Sequence, residues 1–265
     1  MSFGAREGSS CEHDDVPSSS ITGEINKACS RLAALRARTL ENVEAIRSMP
    51  EQEIEPFLQD IQLVEEWRKA HAGPLRNTSA NLRHYVKPHS AANPDIVSVT
   101  QRLKKFSTIL DKQSRYPTMR VTKMEDIGGV RAVLFDQTAA DDVARRLRKN
   151  WRVHRYRDYV RQPKDSGYRA LHLIVVKQGM MIEVQLRTYL QDFWANQVES
   201  DSRHLRVDFK SGKGQQVVHQ YYAAVSQFFA MTEASKAPPE GFQEELSRRY
   251  ALAEPFLSPY DGGRS

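Results

Sequence analysis

Ile182-Glu183-Val184-Gln185-Leu186-Arg187-Thr188 alternates without a break between apolar and polar residues. In an extended chain successive side chains point to opposite faces. Glu183, Gln185 and Arg187 therefore share one face, and Ile182, Val184 and Leu186 share the other. An apolar face needs a core. A face carrying an acid, an amide and a guanidinium needs either water or a site. The stretch predicts a sheet covered on one side, with a binding site and a plain solvated surface as the two readings of the other.

The neighbouring segments supply the rest of that sheet. Residues 170–176 form a second apolar run, joined to 181–186 by the turn residues Gln178-Gly179. Residues 151–160 read as a third strand, and the β-branched run 129–135 (GVRAVLF) as a fourth. Helical spacing returns at 139–149, and again at 189–202, 217–231 and 242–252. Upstream of Pro117 the pattern is helical. Ile25, Ala28, Leu32, Leu35, Leu40, Val43 and Ile46 recur along one face, and Pro50 stops that helix. A second helix runs from Glu51 to about residue 71, and a short one falls within 75–85. A strong helix is expected over 94–114, with Ile96, Val99, Leu103, Phe106 and Leu110 inward. The sum is an α+β fold, a mixed sheet of about four to five strands flanked by helices, with a helical N-terminal extension. The expected segments are a disordered tail over 1–22, the extension over 23–92, the sheet-bearing domain over 93–235, and a C-terminal helix and tail over 236–265.

Composition narrows the class. The 265 residues are 40% hydrophobic and 27% charged, the balance of a globular protein. No apolar run approaches the roughly 18 residues of a membrane span, and the first residues carry no hydrophobic secretory core, which reads as soluble and cytoplasmic. Cys11 and Cys29 stand in no metal-ligand spacing, which excludes a disulfide framework or a cysteine-based zinc site. The net charge of +6 is concentrated: residues 101–172 hold 18 Lys+Arg against 8 Asp+Glu, and the rest of the chain 21 against 25. Such a block fits a surface that meets phosphates, or a set of solvated helix faces.

Two loops in this block carry candidate chemistry. Asp126-Ile127-Gly128-Gly129-Val130-Arg131 places an acid at the mouth of a strand, two glycines that admit close backbone approach, and an Arg on the strand itself. It fits a metal-holding carboxylate beside a phosphate-binding guanidinium, or an ordinary turn before a strand. The run from Asp158 to His172 (DYVRQPKDSGYRALH) brings Arg161 and Lys164, the stiffening Pro163, Gly167 and the flat ring of Tyr168 into one loop. A base stacks on such a ring while adjacent cations hold its phosphates; the plain alternative is a surface loop whose Tyr packs on its own sheet.

DIGGVR, then DYVRQPKDSGYRALH, then IEVQLRT, in this order and spacing, resemble the synthetase domain of RelA/SpoT homologues over roughly residues 99–230. The resemblance implies an ATP-dependent pyrophosphokinase with a nucleotidyltransferase-like synthetase fold, using magnesium and transferring pyrophosphate to a ribose 3′-hydroxyl of GDP or GTP. It implies an ATP site at Arg102, Lys104, Thr108 and Lys112 along one helix, with Arg131 on the ATP phosphates and Asp126 on the metal. On the acceptor side it implies Tyr168 stacking on the base, Lys164 on the phosphates, His172 supporting the loop, and Gln185 and Arg187 lining the site. Glu199, on the helix after the Arg-Thr strand, is the implied second magnesium ligand and candidate base, although Trp194-Ala195-Asn196-Gln197-Val198-Glu199-Ser200 departs from the family pattern by one residue and by Ser for His.

The acceptor stays open. Some short members of the family resemble toxins of toxin–antitoxin pairs that modify the 3′-CCA end of tRNA, with an antitoxin protein as partner. The run Arg145, Arg146, Arg148, Lys149, Arg152, Arg155 and Arg157 exceeds what one nucleotide requires, and residues 209–214 (FKSGKG) read as a loop able to close over a phosphate. A catalytically inactive RNA-binding module is the reading from another class. No hydrolase activity is expected, because His13-Asp14 is the one His-Asp pair and about 100 residues upstream are too few for a hydrolase domain.

Overall fold

The computed structural model describes residues 19–41, 50–90, 94–205, 207, 209 and 214–257. Helices α1 (Ser19–Glu41), α2 (Glu51–Ala70) and α3 (Ala72–Ser90) precede strand β1 (Ser98–Leu103). There follow α4 (Phe106–Arg115), a 3₁₀ turn at Val121–Lys123, β2 (Gly128–Leu134), α5 (Gln137–Asn150), β3 (Val153–Asp158), β4 (Leu171–Lys177) and β5 (Met180–Thr188). Helices α6 (Tyr189–His204), α7 (Gln216–Glu233) and α8 (Phe242–Leu257) complete the fold.

The five strands form one mixed sheet in the order β1-β2-β5-β4-β3. β2 runs parallel to β5, and the other neighbours are antiparallel. Gln178 and Gly179 both have positive φ, the pairing that lets a two-residue turn follow the twist of the β4–β5 hairpin. The alternation of β5 holds. Ile182, Val184 and Leu186 are fully buried with Val130, Ala132 and Leu134 of β2 and Leu171, Leu173 and Val175 of β4, beneath α3 and α5. Asp136 caps α5 by accepting from the Ala139 N–H at 2.8 Å. Thr188 and Gln191 form a capping box that fixes where α6 starts.

Two smaller cores flank the sheet. α1, α2, α4 and the 3₁₀ turn bury Ile25, Ala28, Leu32, Val64, Ile109 and Ile127. α6, α7 and α8 close over Tyr168, Trp194, Val198, Val218 and Tyr222. α3 lies in the stretch assigned to the extension, yet Leu75, Leu82 and Val86 pack under the sheet, so this part of the extension shares the sheet's own core.

The expected helix over 94–114 is a strand followed by a helix. Val97, Val99 and Leu103 pack on the main core while Ser98, Thr100 and Arg102 take the other face of β1, and helical spacing holds only from Phe106 onward. The expected tail over 1–22 is helical from Ser19, its earlier part lying outside the described residues, as do Val43 and Ile46 and residues 210–213 of the FKSGKG stretch. No described helix is long and apolar enough to cross a membrane. Leu82→Ala, at a fully buried position of α3, is expected to lower the unfolding free energy by about 2–5 kcal/mol, whereas Leu58→Ala on the exposed face of α2 should stay within about 0.5 kcal/mol in urea titrations.

Candidate active site

The register of the sheet lays out two polar rows on its uncovered face. Thr100, Arg131, Gln185, His172 and Arg157 oppose one another across all five strands, and Arg102, Gly129, Glu183, Ile174 and Arg155 form the next row. Gly129 stands between Arg102 and Glu183, and a Cβ there would meet nothing closer than the Arg102 Cγ at 3.8 Å. Its missing side chain leaves the floor open. A cleft of about 190 Å³ results, lined by Arg102, Gly129, Arg131, Glu183 and Gln185 from the sheet and by Glu199 from α6.

Asp126 sits at the entry to β2, and its two carboxylate oxygens accept from Lys104 Nζ at 3.0 Å and Lys112 Nζ at 2.9 Å. Burial opposes its ionisation, but the two ammonium groups prevail and hold its carboxyl below the usual range. On a single helix Lys104 and Lys112 would stand roughly 12 Å apart along the axis. Because Lys104 lies in the β1–α4 loop instead, the chain turns and both reach one carboxylate. Thr108 is half-buried on α4, and Arg102 projects from β1. The four residues implied for ATP thus come from a strand, a loop and a helix.

Of the residues implied for the acceptor side, Tyr168, His172, Gln185 and Arg187 form a closed ring with Glu183. Arg187 donates from Nη2 to the Tyr168 hydroxyl at 3.0 Å and to Gln185 Oε1 at 3.0 Å. Gln185 Nε2 donates to Glu183 Oε2 at 2.7 Å. His172 lies 2.9 Å through Nδ1 from Glu183 and 2.6 Å through Nε2 from the Tyr168 hydroxyl. Burial lowers the His172 pKa against the pull of Glu183, so the ring is neutral. A neutral ring satisfies both neighbours only by donating from Nδ1 to Glu183 and accepting the Tyr168 proton at Nε2. Burial also opposes the Glu183 charge, and the His172 and Gln185 interactions together outweigh it, holding the carboxyl below its usual range. All the donors of the ring run from Arg187 toward Glu183.

Two residues sit deeper than the sequence reading implied. Arg187 is 1% exposed and Tyr168 5% exposed. Lys164 Nζ lies over the Tyr159 and Tyr168 rings at 4.8 and 5.1 Å from their centroids, and Arg187 over Tyr168 at 5.3 Å. The loop is pinned from behind: Gly167 has φ of 88° and packs against α7 so closely that a Cβ would lie 2.9 Å from the Ala223 Cα, while Ser226 Oγ donates to its carbonyl at 2.5 Å. Sequence reasoning gave Glu183 a face but no role. The signal was its place in the alternation, one pleat from Gln185, and its carboxylate feels the charge of Asp126.

The basic block divides between the two faces. Arg145, Arg146 and Arg148 lie on α5, behind the sheet, beside Asp142, Tyr85 and Tyr156 respectively. A cavity of about 840 Å³ on that side is lined by Asp136, Asp141, Asp142 and Asp158 together with Arg145, Arg148 and Arg161, so its charges largely answer one another. Among the described residues no group of three or more His, Cys, Asp or Glu side chains is arranged to hold a metal alone. The hard carboxylate oxygens of Asp126, Glu183 and Glu199 nonetheless suit magnesium, which takes one or two carboxylates and completes its shell with water and phosphate oxygens.

A mixed sheet whose open face carries a cleft lined by paired arginines and glutamates defines an α+β protein with a charged candidate site. The model for the region found in RelA/SpoT proteins matches residues 101–206. GTP pyrophosphokinase YjbM of Bacillus subtilis is 31% identical over 159 residues, covering 56% of this chain and 72% of YjbM. The chain belongs to the RelA/SpoT family. Its fold is that of small alarmone synthetases: the B. subtilis small alarmone synthetase 1 bound to its product pppGpp superposes with a TM-score of 0.53 at 25% identity over 64% of this chain and 95% of that one. B. subtilis small alarmone synthetase 2 superposes with a TM-score of 0.55 at 21% identity, covering 64% and 94%.

The buried ring makes stability depend on pH. The unfolded chain takes up a proton at His172 near pH 6.5, which the folded ring refuses, so stability is full above that pH and falls as pH drops through it. Asp126 and Glu183, held below the carboxylate range, lose their contributions only at lower pH. Urea titrations between pH 5 and 8 should show a shallower slope in His172→Asn, by at most about 1.4 kcal/mol per pH unit. His71, also held neutral by burial, keeps the remainder, and an identical slope in both proteins would contradict this account.

Proposed function

We propose that this protein transfers the β,γ-pyrophosphoryl group of ATP to the ribose 3′-hydroxyl of GDP or GTP. The observation that carries the reading is the Asp126 carboxylate, fixed between Lys104 and Lys112 beside an open floor where Glu183 and Glu199 line the same cleft. The similarity to YjbM and to a pppGpp-bound synthetase supports it.

The residues divide the work by position. Arg102, Lys104, Lys112 and Arg131 hold the ATP phosphates, with the Thr108 hydroxyl on the same wall. Lys164, poised over two tyrosine rings, holds the acceptor phosphates, and Tyr168 presents its ring to the acceptor base once Lys164 moves to them. His172, Gln185 and Arg187 fix the Tyr168 hydroxyl and the floor. The acceptor 3′-oxygen attacks the β-phosphorus, the bond from that phosphorus to the oxygen bridging the α- and β-phosphates breaks, and AMP leaves. The hydroxyl proton passes to a cleft carboxylate, Glu183 on the floor or Glu199 on α6. Asp126 with these glutamates would hold Mg²⁺, which when bound neutralises charge on the triphosphate.

A second reading keeps the chemistry and changes the acceptor to the 3′-CCA end of tRNA. Arg155 and Arg157 favour it, since they extend the cleft's own face to the exposed edge strand β3. The α5 arginines, on the opposite face, do not contribute to that track.

Purified protein with Mg²⁺ and ATP labelled in its β,γ-phosphates is expected to label GDP or GTP. Label on deacylated tRNA alone would transfer the conclusion to the second reading. RNA binding with steep salt dependence and no transfer would leave a binding module. Asp126→Ala should lower turnover by at least about 100-fold. Glu183→Gln and Glu199→Gln separate the two proton acceptors: the base variant loses the larger part of kcat, and wild-type rates in both would refute the carboxylate assignment.

A further inference from the structure

Asp192, in the first turn of α6, neither lines the cleft nor belongs to the ring of Glu183, His172, Tyr168, Gln185 and Arg187, yet it links the two. Its Oδ1 accepts from Arg187 Nη1 at 2.9 Å and from Arg131 Nη1 at 3.2 Å. Its Oδ2 accepts from Asn196 Nδ2 at 2.9 Å, and Asn196 Oδ1 in turn accepts from Arg131 Nη1 at 3.3 Å. Two guanidinium groups from adjacent strands therefore meet at one carboxylate oxygen. Burial and the proximity of Arg187 both work against the charge on Arg131, and Asp192 and Glu199 oppose them. Without the Asp192 charge, two like charges would face each other in a half-buried site, and the more exposed one, Arg131, would be the one to move.

The geometry points to Asp192 as a positioning residue for the transfer proposed above: it acts through Arg131, holding that guanidinium where it meets the donor phosphates while anchoring it to the buried Arg187. The capping box at Thr188 and Gln191 fixes the start of α6 and with it the height of Asp192 above the sheet. Asn196, one turn further on, keeps Arg131 from swinging away around the single shared oxygen. A guanidinium displaced by about 1 Å loses a large part of its effect on a phosphate, on the order of 10- to 100-fold.

The test is a double-mutant cycle on the full chain. Binding of a non-hydrolysable ATP analogue with Mg²⁺ is measured by calorimetry for wild type, Asp192→Asn, Arg131→Ala and the double variant, alongside initial rates of transfer. Asp192→Asn keeps the shape of the residue and removes its charge. It is expected to weaken analogue binding about 10-fold, and to weaken it no further when Arg131 is already Ala, because the carboxylate then has nothing to position. Asn196→Ala, an exposed change that does not threaten folding, should weaken binding in the same direction by less. An equal loss from Asp192→Asn in both backgrounds would assign Asp192 to the fold and overturn the proposal, as would unchanged binding, or a wild type that binds no analogue. A wild type that binds the analogue and transfers nothing would overturn the transfer reading alone, and the binding cycle would still decide the role of Asp192.

Discussion

A guanidinium withdrawn from water costs several kcal/mol unless its donors find partners, and Arg187 at the end of β5 is almost completely buried. Its partners come from three separate parts of the chain: Gln185 from its own strand, Tyr168 from the β3–β4 loop and Asp192 from α6. Partnering the two terminal nitrogens of this one side chain draws the loop and the helix to the end of the central strand. The loop's other attachments follow the same logic. Arg169 pairs with Glu233 at 2.7 Å, and Glu233 also accepts from Thr188, tying the end of α7 to the strand from which Arg187 projects. The site is thus held by buried polar groups that each have a reason to stay where they are, set on a sheet whose other face carries the main apolar core.

Much of this fold is legible in the sequence because the sheet obeys a period of two. β5 reads directly from Ile182 to Thr188, and its apolar half forms the core as its alternation requires. β1 was hidden for a physical reason. An edge strand buries only a few side chains, and Val99 and Leu103 are four residues apart, the spacing that continues through Phe106 and Leu110 into a true helix. The period-three-to-four pattern ran across a strand–helix junction. That junction matters chemically, since the turn at Lys104 is what allows a loop lysine and a helix lysine to share Asp126.

The arrangement of the candidate site was less legible, because pairing between charges is set by register and not by spacing along the chain. Nothing in the run from Asp158 to His172 says that Tyr168 gives its hydroxyl to His172 and takes a hydrogen bond from Arg187 nineteen residues away. Similarly, Glu183 lies on the polar face by alternation alone, but only the parallel register with Gly129 sets it beside the opening in the floor. Asp192 had no signal at all, since an acid in a first helical turn is ordinary and favourable for the helix dipole.

The charge count also changes meaning once it is placed in space. The basic residues of 101–172 are distributed over two faces, and those of α5 are paired with neighbours behind the sheet. At the entry to β2 Lys104 and Lys112 are committed to Asp126. On the proposed reading Lys104 and Lys112 would supply charge to the triphosphate, and Asp126 would be the carboxylate available to a divalent cation. A pocket with unpaired lysines would attract any polyanion, at the cost of its own self-repulsion. One already neutralised by Asp126 favours ligands that bring both signs of charge, and on the proposed reading that is the distinction between a magnesium-bound nucleotide and a bare phosphate.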